Sequence, residues 1–162
     1  MTRSLRVAAL AAALLPAAAG AASAEPAPLN VLIFWSTNCS NCEGVLRQLQ
    51  NVRNKLRGAP VRFYAVTLDN SQAQANVFLH HHGLWFDTTP ANRAVSLVQR
   101  YRVTVIPWVV ITRCDGSVAA VPSRDNTPRT VPAYVEMELV FHGMRPLPAR
   151  RVVCDGALDE GA

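Results

Sequence analysis

Val31-Leu32-Ile33-Phe34-Trp35-Ser36-Thr37-Asn38-Cys39-Ser40-Asn41-Cys42 decides how this chain is read. Five consecutive apolar residues have the pattern of a strand buried on both faces. Three polar residues follow, and then two cysteines spaced C-x-x-C. From Cys42 onward the apolar positions Val45, Leu49, Val52 and Leu56 recur at helical spacing, and Gly58 and Pro60 stop the run. The cysteines therefore fall where a buried strand hands over to a helix. Two thiols at a helix start can form, open and exchange a disulfide, because the exposed N–H groups and the dipole of the first turn stabilise a thiolate.

Outward from this segment the elements alternate. Val61 to Leu68 reads as a second strand. Ser71-x-x-Gln74 has the form of a capping box and opens a helix with Ala75, Phe78 and Leu79 inward, which Gly83 closes. Leu84 to Asp87 reads as a short strand, and Thr89-Pro90 as the N-cap and first residue of a helix. That helix would bury Ala94, Leu97, Val98 and Tyr101. Trp108 to Ile111 forms a further strand, Asp115-Gly116 turns it, and Ser117 to Val121 returns antiparallel. Val131 to His142 is a last helix, ended by Gly143. The order predicts a single α/β domain with a mixed sheet, parallel at first and closed by an antiparallel hairpin. It spans residues 25–144, with an irregular tail at 145–162.

Residues 1–24 have the pattern of a signal peptide. Arg3 and Arg6 precede an Ala/Leu-rich run from Val7 to Ala19, and Ala22-Ser23-Ala24 is a cleavage site. The run is short and interrupted by Pro16 and Gly20, which suits a cleaved leader better than a membrane anchor. Export would place the protein in an oxidising compartment such as the periplasm, where disulfides persist. The 162 residues carry a formal net charge of +5. The basic residues are scattered rather than clustered, which argues against a nucleic-acid partner.

With these elements placed, the chain resembles the thioredoxin-like proteins. Phe34-Trp35-Ser36-Thr37-Asn38-Cys39-x-x-Cys42 is similar to their FWAxWCxxC segment. Tyr101-Arg102-Val103-Thr104-Val105-Ile106-Pro107 is similar to their Y-x-V-x-x-I/T-P segment, in which the proline is cis. The unit from Ser71 to Asp87 resembles the helix–strand insertion of the TlpA/ResA branch of exported thiol–disulfide oxidoreductases. The resemblance implies a thioredoxin-like fold with helices on both faces of the sheet. It also implies a disulfide reductase activity at Cys39 and Cys42 with no bound cofactor. Cys39 would attack and Cys42 would resolve. Ile106 and Pro107 would present the backbone edge on which a substrate peptide lies, with Trp35 and Trp108 flanking it, either packing or shaping the groove. The implied partners are exported proteins containing disulfides and a membrane thiol reductase as electron donor, the protein itself acting as a monomer.

The chain departs from the family pattern in places. Asn38 stands where the family has Trp. Ile33 takes the place of thioredoxin's buried acid, for which Asp69 at the end of the second strand is the nearest candidate.

Two further groups carry alternatives. His80-His81-His82 suggests a metal, but successive helical residues point about 100° apart, so the three do not converge on one ion. A copper carrier using the thiolates of Cys39 and Cys42 is the rival function, and a non-catalytic domain with a static disulfide is another. Cys114 and Cys154 would form a structural disulfide closing a loop of about 40 residues, worth about 4 kcal/mol in the chain-entropy model. Their alternatives are two free thiols, or a relay with Cys39 and Cys42.

Overall fold

The computed structural model describes residues 26–121, 127–146 and Cys154. The expected leader, and all of the expected tail but Arg145, Pro146 and Cys154, lie outside the described residues. Among the described residues nine elements follow one another: β1 (Leu29–Trp35), α1 (Cys42–Lys55), β2 (Val61–Thr67), α2 (Gln72–His81), β3 (Asp87–Thr88), α3 (Ala91–Arg100), β4 (Trp108–Arg113), β5 (Val118–Ala120) and α4 (Thr130–Phe141). The five strands form one sheet in the order β3-β2-β1-β4-β5. β2 runs parallel to β1 and to β3, whereas β4 is antiparallel to β1 and to β5. The change of direction therefore falls at the centre of the sheet, beside β1.

All seven residues of β1 are buried. The period of two along the strand divides its six apolar residues between two cores. Leu29, Val31, Ile33 and Trp35 face α1, α2 and α4, through Val45, Leu46 and Leu49, then Ala75 and Leu79, then Val131, Val135 and Leu139. Leu32 and Phe34 face the opposite way, with Val66, Val110 and Ala94 of α3. Helices thus cover both faces, which is why β1 is apolar from Val31 to Trp35 rather than alternating, with the buried Asn30 its one polar residue. Gly44 lies in the first turn of α1, where a Cβ would come within 2.9 Å of the Pro128 ring. This close approach lets the segment before α4 seat against α1.

Two helices end in the same way. Gly83 and Gly143 take positive φ angles of 65° and 81°. Leu84 N–H donates back to Leu79 O, and Met144 N–H to Leu139 O. Each apolar residue after the glycine is buried, as in a Schellman ending.

This ending corrects the expected strand from Leu84 to Asp87. Leu84 N–H is spent on closing α2, and Trp85 N–H donates to the Gln50 side chain. Only Asp87 and Thr88 remain to pair, opposite Tyr64 and Ala65. The start of α3 also differs from expectation. Pro90 itself occupies the cap position, because its carbonyl accepts from Arg93 and Ala94 N–H. Thr89 is buried and its hydroxyl has no hydrogen-bond partner among the described residues.

Candidate active site

β1 and β2 run parallel with Trp35 opposite Thr67, so both strands exit at the same end of the sheet. The loop from Ser36 to Asn41 crosses that end and delivers the cysteines to α1. Cys39 and Cys42 are joined in a disulfide, their Cα atoms 5.3 Å apart. Cys42 is the first residue of α1 and is only 1% exposed, against Val45 and Leu46. Cys39 is half-buried and lies one turn before the helix proper, where its carbonyl accepts Cys42 N–H at 3.1 Å. Asn41, at the cap position, makes no side-chain cap bond. The start of α1 is thus left without a side-chain acceptor, the condition under which a helix N-terminus stabilises a nearby anion.

An open depression of about 350 Å³ lies over Cys39, lined by Ser36, Asn38, Ser40, Asn41 and Ile106. The Ile106–Pro107 peptide bond is cis and Pro107 is buried. Ile106 contacts both cores, and Cys39 packs on the first of them. The structure therefore brings Cys39, Cys42 and Ile106-Pro107 to one end of the sheet.

The two tryptophans do not share a surface there. Trp35 is 1% exposed, with its ring 5.4 Å from that of Phe78. It lies beneath the site and offers no face to a substrate. Trp108 pairs with Phe34 across β1 and β4 and belongs to the opposite core, where its indole N–H has no partner among the described residues. The odd and even positions of β1 thus separate two residues that the sequence reading set side by side.

The sequence named Asp69 only as the nearest acid, and the structure gives it several partners. Its carboxylate accepts from the Ser36 hydroxyl at 2.6 Å, the Thr37 hydroxyl at 3.1 Å and the Thr67 hydroxyl at 2.9 Å. Thr37 N–H also donates to both carboxylate oxygens, at 3.2 and 3.0 Å. Burial alone would push this carboxyl up. The hydrogen bonds from Ser36, Thr37 and Thr67 outweigh it and hold the group below its ordinary 3.8. A lowered carboxylate stabilises the fold fully above its unfolded pKa, and that contribution is lost as pH falls through the folded value. The stability difference between wild type and Asp69→Asn is therefore expected to be constant above about pH 5 and to shrink on acidification below 3.8. Chemical denaturation across that range measures it. A difference that stayed flat would mean these bonds do not favour the ionised form.

Among the described residues no group of three His, Cys, Asp or Glu side chains is placed to hold one metal ion. The three histidines do not converge, although the His81 and His82 rings meet edge-on at 5.2 Å. His82 Nδ1 lies 3.0 Å from Glu43 of α1, and His80 stands edge-on to Trp85.

Cys114 and Cys154 form a second disulfide, with Cα atoms 5.2 Å apart. Cys114 follows Arg113, which pairs with Leu29 at the start of β1, and its Sγ is 3.7 Å from Pro28 O. Cys39 lies beyond the other end of β1. A seven-residue strand separates the two disulfides by roughly 20 Å, which leaves no direct exchange between them within one molecule. The relay considered from the sequence is excluded on this geometry.

Residues 28–118, more than half of the chain, match the sequence profile of the thioredoxin-like family. The chain belongs to that family. Its fold is similar to that of StoA from Bacillus subtilis, at 19% identity and a TM-score of 0.55 over 67% of this chain and 82% of that one. It is similar to a secreted Mycobacterium tuberculosis disulfide oxidoreductase homologous to E. coli DsbE, at 21% identity and a TM-score of 0.56 over 70% and 81%. It is also similar to a thiol:disulfide interchange protein DsbE from Chlorobium tepidum, at 18% identity and a TM-score of 0.60 over 73% and 82%. At these identities the likeness is one of fold. No curated protein sequence matches the chain.

Proposed function

We propose that this protein is an exported thiol–disulfide oxidoreductase of the TlpA/ResA-like branch, working as a disulfide reductase on exported proteins. One observation carries the reading: an accessible cysteine, set just before an uncapped helix start, is bonded to a cysteine buried in the first turn. In the reduced form Cys39 is the thiolate. It attacks one sulfur of a substrate disulfide and expels the other as a thiolate, leaving a mixed disulfide. Cys42 then attacks Cys39 Sγ, the Cys39–Cys42 bond forms, and the substrate leaves with both sulfurs reduced. The two electrons come from the dithiol, which an external donor must restore. A membrane thiol reductase fits that need.

Ile106 and Pro107 border the depression where the substrate backbone would lie, and the neutral Asn38, Ser40 and Asn41 form its rim. With no charged neighbour on that rim, the thiolate owes its stability to the helix start alone, consistent with a reductant rather than a strong oxidant. The leader pattern of residues 1–24 supports export to the periplasm, and the likeness to a secreted oxidoreductase agrees with it. No described helix is long and apolar enough to cross a membrane. The chain would act as a monomer and needs no bound cofactor for this chemistry.

The test is turnover of insulin disulfides with dithiothreitol as donor, joined to alkylation of the reduced protein at mildly acidic pH. Cys39 is expected to be labelled well before Cys42, and insulin to be reduced catalytically. A Cys39–Cys42 bond that stayed closed in millimolar dithiothreitol, or equal labelling of the two thiols, would sink the reading in favour of a static disulfide.

A further inference from the structure

We propose that Asp69 is a positioning residue for Cys39, holding the loop between β1 and α1 in the shape that sets the thiolate at the helix start. The inference rests on the redox reading of the site. Only Ser36, Thr37 and Asn38 separate the end of β1 from Cys39, and two of these three are bound directly to the Asp69 carboxylate. Ser36 passes the restraint on. Its hydroxyl, while donating to Asp69, accepts Asn38 N–H at 3.2 Å, and its carbonyl accepts Cys39 N–H at 3.2 Å. The carboxylate is itself fixed from the β2 side. Thr67 Oγ1 donates to it and accepts Asp69 N–H at 3.1 Å, and Leu68 N–H donates to Trp35 O at 2.8 Å. One side chain thus ties the exits of two parallel strands together and, through two hydrogen bonds, reaches the backbone of the nucleophile.

A role in proton transfer does not fit this arrangement. The carboxylate already accepts from three hydroxyls and a backbone N–H, so it is occupied on the loop side rather than free to serve a thiol. Simple electrostatics has the opposite sign. A nearby anion disfavours a thiolate, so deleting only the charge would make Cys39 more acidic and faster. Loss of positioning would make it less acidic and slower.

The experiment is the pH profile of Cys39 alkylation in the reduced full-length protein, for wild type, Asp69→Ala, Asp69→Asn and Ser36→Ala, with circular dichroism to show that each is folded. Asp69→Ala is expected to slow alkylation near neutral pH by about tenfold and to move the profile to higher pH. This corresponds to losing roughly one charge-assisted hydrogen bond's worth of loop geometry. Ser36→Ala removes one link of the chain and should fall between wild type and Asp69→Ala. Asp69→Asn keeps a side chain of the same shape that can accept Thr37 N–H, and is expected within about threefold of wild type. Faster alkylation in both Asp69 variants would assign the effect to charge and overturn the proposal, as would no change in Asp69→Ala. An Asp69→Asn rate as low as that of Asp69→Ala would also overturn it, because an acid–base role cannot be rescued by an amide. Alkylation needs no protein substrate. A wild type that fails to reduce insulin but whose Cys39 slows in Asp69→Ala would remove the reductase reading and leave the positioning intact, and the converse result would do the reverse.

Discussion

A Cys42→Ala variant is expected to lose catalytic turnover of insulin almost completely while capturing substrate as mixed disulfides through Cys39. The first half of the reaction needs only Cys39, which is partly exposed beside the depression lined by Ile106. The second half needs a thiol that can reach Cys39 Sγ from inside the protein, and Cys42, the disulfide partner in the first turn of α1, is placed to supply it. Removing that thiol leaves the mixed disulfide with no internal route of escape, so it persists until an external thiol attacks. The mirror variant should behave differently. Cys42 is 1% exposed in the disulfide form and sits in the first turn of α1 against the core, so in Cys39→Ala a protein disulfide should reach it poorly, and both turnover and capture should disappear. Non-reducing electrophoresis and peptide mapping after challenge with reduced variant and disulfide substrate distinguish the two. Equal capture by both variants would show that the burial difference does not order the thiols, and the assignment of Cys39 as nucleophile would fall.

Much of the frame behind this expectation was legible in the chain because local chemistry and tertiary position agree. Val31 to Trp35 of β1 is apolar without interruption because helices cover both faces of the strand, and Gly83 and Gly143 close helices at positive φ, which other residues take at a cost. The features that escaped the reading depend on register. Leu84, Trp85 and Phe86 have strand composition, yet the first two spend their backbone donors on the end of α2 and on Gln50. Trp35 and Trp108 are each next to a predicted site residue or close to one, and only the pairing of Phe34 with Trp108 reveals that they point into opposite cores. Asp69 meets Ser36 across 33 positions of sequence, a contact that exists only because parallel pairing places Trp35 against Thr67. Nothing local to Asp69 announces its partners, beyond the hydroxyls of Ser36, Thr37 and Thr67 at the two strand ends.

Replacing both Cys114 and Cys154 with Ala is expected to lower the unfolding free energy by up to about 4 kcal/mol, with thiol exchange at Cys39 unchanged. The bond links positions 40 apart and joins the end of β4 to Cys154, the one described residue beyond Pro146. Its anchor lies next to Pro28 and the first pair of β1 with β4, so it fastens the chain's later part to the central strand. Opening it releases the closure of a long loop in the unfolded chain, and the entropic model scales that gain with the logarithm of loop length. Cys154 is 8% exposed, so truncation also removes a small buried contact. Both effects act at the end of the sheet remote from Ser36, Thr37 and Asp69. The rate of Cys39 alkylation should therefore match wild type even as the denaturation midpoint falls. Urea unfolding with the Cys39–Cys42 bond kept oxidised measures the first quantity, and alkylation of the reduced protein the second. A loss below about 1 kcal/mol would mean that the loop is already constrained in the unfolded chain. A change in Cys39 reactivity would mean that the two ends of β1 are mechanically coupled, which a strand buried on both faces and paired on both edges gives no reason to expect.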